Sequence, residues 1–88
     1  MNEKFEYKNI TTGATTVVKS GTGVLKAITV NSTAAGTITV YDNTSAAGTK
    51  IATLKASVVE GTYEYNIAFA TGLTIVTEKA SDITVSYR

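Results

Sequence analysis

Seven carboxylates are the only side chains here with a claim to general acid or base work, because the chain has no His and no Cys. Paired carboxylates cleave glycosidic bonds when they stand about 5–9.5 Å apart. Glu60 and Glu64 share a face if both lie on one strand, yet four residues of strand separate them by about 13 Å. Glu3 and Glu6 point to opposite faces of an extended segment. Glu78 and Asp82 flank a tight turn and read as solvated turn residues beside Lys79. No catalytic residue and no cofactor is predicted, and the protein is expected not to be an enzyme.

Binding chemistry has more to work with. Asp42-Asn43-Thr44-Ser45 gathers hard oxygen donors in one loop, the minimum for calcium, but lacks the alternating acidic spacing and bidentate Glu of a strong site. Asp and Asn at a strand exit more often bond their own backbone in an Asx-turn, so no metal is predicted. Tyrosines at 7, 41, 63, 65 and 87 offer flat faces for stacking sugars or bases. Tyr63 and Tyr65 alternate with Thr62, Glu64 and Asn66 on the same side as Ile67 and Phe69, a core pattern; Tyr7 and Tyr41 are less committed. Tyr41, Asp42 and Asn43, with the loop running to Gly48, form the candidate ligand loop. A lysine-to-asparagine isopeptide needs a lysine buried beside an acid; Lys26 is the best placed, and its apolar surroundings are too thin to predict one.

The elements that must hold these residues are strands. Thr fills 17 positions, Val nine and Ile seven, and β-branched residues alternate with small polar ones almost end to end. Strands are expected over 4–10, 15–19, 24–31, 37–42, 50–56, 62–70, 73–77 and 82–87, separated by Gly-, Ser- and Asn-rich turns. The sharpest alternation is that of 62–70, which places Ile67 and Phe69 in the core. No helix is predicted. ITVNSTAAGT at 28–37 is echoed by ITVYDNTSAAGT at 38–49, two copies where a solenoid needs three or more. Eight short strands at this spacing give an all-β fold, a small antiparallel β-sandwich of jelly-roll type.

With 88 residues there is room for one domain, which removes only roughly 60–65% of its unfolded surface from water. Such domains are commonly reinforced by disulfides, metals or partner subunits. Cysteine is absent and zinc ligands are scarce, so self-association is the remaining route. A net charge of +1 with singly spread lysines gives no field for nucleic acid or anionic lipid. No apolar run approaches the roughly 18 residues of a membrane span, and the amino terminus has no signal-like apolar stretch. Synthesis in the cytoplasm without membrane insertion is expected, and the sequons at Asn9, Asn31 and Asn43 are expected to stay unmodified.

The run VLKAITVNSTAAGTITVYDNTSAAGTKIATL, followed by NIAFATGLTIVT and DITVSYR, resembles a group of small all-β proteins of tailed bacteriophages and prophages. In these a "GVL..I.V" strand, a "YDNTSA.GTKI" loop, a "GL.V" strand and an "ITVSYR" ending recur in this order. The resemblance covers about residues 15–88, and its motifs are strand and turn signatures. It implies a virion structural component: a head decoration, head fibre or tail accessory protein, made in the host cytoplasm and carried on the particle. Such subunits occupy symmetric sites, so a homo-oligomer is expected, a trimer first, in contact with other virion proteins. A glycan-binding module of a phage fibre or bacterial surface protein, using the Tyr41 loop, is the alternative. Residues 1–13 fall outside the resemblance and read either as a docking arm, with Phe5 and Tyr7 as its buried anchors, or as the first strand of the sandwich in 14–88.

Overall fold

Alternating β-branched residues can bury one side of a strand and wet the other, and the chain uses this eight times. The computed structural model describes residues 4–88. Glu3, weighed above with Glu6, lies outside the described residues. The strands are β1 (Glu6–Ile10), β2 (Thr15–Ser20), β3 (Gly23–Ser32), β4 (Ile38–Asp42), β5 (Thr49–Leu54), β6 (Gly61–Phe69), β7 (Gly72–Thr77) and β8 (Asp82–Tyr87). No helix occurs among the described residues. Residues 6–10 of the segment read as arm or strand form β1, and Ile10 lies in the core.

Two four-stranded sheets result, β1-β8-β3-β6 and β2-β7-β4-β5. Every pairing is antiparallel. The first strand pairs with the last, the second with the seventh, the third with the sixth, and the fourth with the fifth. The chain is thus one long two-stranded ribbon, closed at the β4–β5 hairpin and rolled until β8 meets β3 and β7 meets β4. That is the jelly-roll arrangement. Its shortest extent, 17 Å, suits two twisted sheets stacked about 10 Å apart.

Between the sheets lie Ile10, Leu25, Ile28, Val30, Phe69, Ile83 and Val85 from one side, and Ile38, Val40, Leu54, Leu73 and Ile75 from the other. Leu25 and Ile28 both reach this core although three positions apart. The spacing works because β3 advances two residues, Leu25 to Ala27, while β8 moves one, Tyr87 to Ser86. This bulge resets the phase of the strand. In β7, Leu73 and Ile75 enter the core, while Thr74 is buried too, beneath the β4–β5 loop.

Ile67 departs from its predicted core position. It is 37% exposed, whereas Phe69 on the same strand is 1% exposed. β6 is the outer strand of its sheet, with β3 as its single neighbour. Beside Ile67 the register shifts between Leu25 and Ala27, and Asn66 adopts a φ of 54°. The strand is kinked at an open edge, so alternation alone overstates the burial of Ile67.

Candidate functional site

Asp42 ends β4 facing the turn between β6 and β7. Its Oδ1 accepts the amides of Thr71 at 2.8 Å, Ala70 at 3.1 Å and Gly72 at 3.3 Å, and Oδ2 accepts Ala70 at 3.0 Å. The Ala70 and Thr71 amides hold the carboxyl below its ordinary value of 3.8, since they bond the ionised form. Asn43 closes the adjoining loop on itself: Oδ1 accepts the Thr44 amide at 2.8 Å and Nδ2 donates to the Ala47 carbonyl at 2.8 Å. Its backbone carbonyl accepts the Thr74 hydroxyl at 2.7 Å. Gly72 makes room for this loop, because a Cβ there would stand 2.8 Å from Thr44 Cγ2. The side-chain oxygens of Asp42 and Asn43 are thus turned toward backbone donors of the same protein.

Other carboxylates do the same work. Glu78 Oε1 accepts the Thr37 amide at 2.9 Å, which keeps its pKa below the ordinary value, and Glu60 Oε2 accepts the Thr33 amide at 3.1 Å. Glu78 and Asp82 serve different partners: Glu78 takes the Thr37 amide, and Asp82 bonds side chains on β1 and β3. Among the described residues no group of three His, Cys, Asp or Glu is placed to hold a metal ion, and no pocket is formed. Tyr41, opposite Thr74 on β7 and Lys50 on β5, is half-buried and has the folded loop beside it.

Phe5 and Tyr7 differ from each other. The Phe5 ring lies 5.2 Å from the Arg88 guanidinium and 5.8 Å from Lys26 Nζ, with 39% of the residue exposed. Lys26 also donates to Asn66 Oδ1 at 3.1 Å. Tyr7 is 74% exposed.

A polar cluster that the sequence did not single out spans β1, β8 and β3 on the outer face of the first sheet. Asn9 Nδ2 donates to Asp82 Oδ1 at 2.8 Å and to the Ile83 carbonyl at 2.8 Å, with Thr84 Oγ1 at 3.5 Å. From the other flank, Asn31 Nδ2 donates to Asp82 Oδ1 at 3.3 Å and Thr84 Oγ1 at 3.2 Å. Asn9 stands opposite Thr84, Thr84 opposite Thr29, and Thr29 opposite Thr62, so one polar row crosses all four strands. Asn9 and Asn31 carried only the sequon signal in the sequence, and their common neighbour β8 is distant along the chain. No family model, no curated protein and no solved structure matches the chain.

Proposed function

We propose that this protein is a non-enzymatic structural subunit of a bacteriophage particle, a capsid decoration, head fibre or tail accessory protein that assembles with itself and contacts other virion proteins. One observation carries the reading. The stretches that bear the phage-family resemblance supply most strands of the jelly roll, and the carboxylate and amide of their central loop serve the backbone. In YDNTSAAGTK, Asp42 caps the β6–β7 turn and Asn43 closes the hairpin loop. A motif whose carboxylate and amide are engaged in this way contributes to architecture, which suits a building block. A small core without cysteines supports assembly as a closed oligomer, a trimer first.

Native mass spectrometry of the purified protein tests this reading. An oligomer that survives chelator and reductant is the expected result. A strict monomer at the concentrations reached in assembly would remove the self-associating subunit, and dissociation by EDTA would return a metal to Asp42 and Asn43.

A further inference from the structure

We infer that the outer face of the first sheet carries a binding site for a neutral saccharide, formed by Tyr7, Asn9, Asn31, Asp82 and Thr84. It does not depend on the virion reading. Asp82 Oδ1 fixes both asparagine side chains, because only their NH₂ groups can face a carboxylate. Both amide oxygens are thereby turned away from it, and neither accepts a bond from any described residue. The same holds for Asp82 Oδ2. Thr84 Oγ1 accepts from Asn31 Nδ2 at 3.2 Å, while the two protons of Asn9 Nδ2 serve Asp82 and Ile83 at 2.8 Å, leaving the Thr84 hydroxyl its own proton to donate outward.

Three acceptors and one donor are therefore held on neighbouring strands, across about 10 Å of rigid sheet. A polyol matches this set, since each hydroxyl donates one bond and accepts others, and adjacent ring hydroxyls can reach Asp82 and an asparagine together. Tyr7 follows on the same face of β1, two residues before Asn9 and opposite Ser86. Its exposed ring offers the flat apolar contact that the C–H face of a sugar needs. Calcium fits poorly, because one charge and three oxygens fall short of the usual six to eight ligands. The carboxylate also disfavours anionic sugars and phosphates.

The test is a ¹H–¹⁵N titration of the full chain with chitohexaose, cellohexaose, mannohexaose and galactohexaose in turn. At least one should move the backbone and side-chain signals of Asn9, Asn31, Asp82 and Thr84. Tyr7→Ala should then bind about tenfold more weakly, a loss of roughly 1.4 kcal/mol, and Asn31→Ala should weaken binding also. Tyr41→Ala should bind as the parent does. The variant spectra report folding in the same experiment. Silence with all four sugars, shifts confined to residues 42–48, unchanged binding by a folded Tyr7→Ala, or the same shifts produced by calcium alone would each overturn the site.

Discussion

Phe69 packs directly against Gly23, so closely that a Cβ on the glycine would lie 2.6 Å from the ring Cζ and would also strike the Arg88 carbonyl. The pair sits opposite in the β3–β6 register and closes one end of the core. Phe69→Ala should cost about 3–5 kcal/mol, a large part of the stability of a domain this small. Gly23→Ala should cost about 1–3 kcal/mol by overpacking. Denaturant unfolding of both variants measures this, and a tolerated Gly23→Ala would mean that β3 and β6 do not meet as described.

Ile67→Ala should be mild by comparison. A residue at the open edge recovers little transfer energy on folding, and a loss below about 1 kcal/mol is expected, against about 2–5 kcal/mol for a buried isoleucine. A loss in the upper range would place Ile67 inside, as the alternation alone suggests, or beneath a partner subunit.

Acid should destabilise the protein through its loop anchors. Asp42 and Glu78 have folded pKa values below their ordinary values of 3.8 and 4.5, since each carboxylate accepts backbone amides. Their contribution is present above those ordinary values and is lost as pH falls through the lowered folded ones. Thermal melts from neutral pH into the acid range should decline there, and Asp42→Asn should flatten part of the slope. An identical acid limb in that variant would show that the β6–β7 anchor is not ionised in the native state.

β1 should be indispensable. Ile10 contributes a buried side chain to the core, and β1 pairs with β8 from Glu6 to Ile10. Ile10→Ala should cost about 2–5 kcal/mol. Removing residues 1–10 should unfold the chain or force it to associate through the uncovered edge of β8. A truncated protein of unchanged melting temperature would make the segment a dispensable arm.

Much of the architecture was legible in the residues. Alternation located all eight strands to within a few positions, and the Gly-rich turns marked their ends. Bonding of Asp42 and Asn43 to their own backbone is the expectation that their place at a strand exit sets; Asn43 bonds Thr44 and Ala47 in this way, while Asp42 reaches the Ala70–Gly72 turn. The pairing of Asp82 with Asn9 was not legible, because it joins positions 73 residues apart.

The sequence by itself determined which side of each strand is apolar, where the chain turns, and that no histidine or cysteine chemistry is available. Those are local properties, carried by side-chain type and a period of two. Tertiary structure decided which strands are edges, and so why Ile67 is exposed while Phe69 is not. It also decided that Asp42 spends its carboxylate on the β6–β7 turn, and that Asn9, Asn31, Asp82 and Thr84 share one face. Rolling a ribbon whose first strand meets its last brings together residues with no relation along the chain, and only burial of the common core selects that closure.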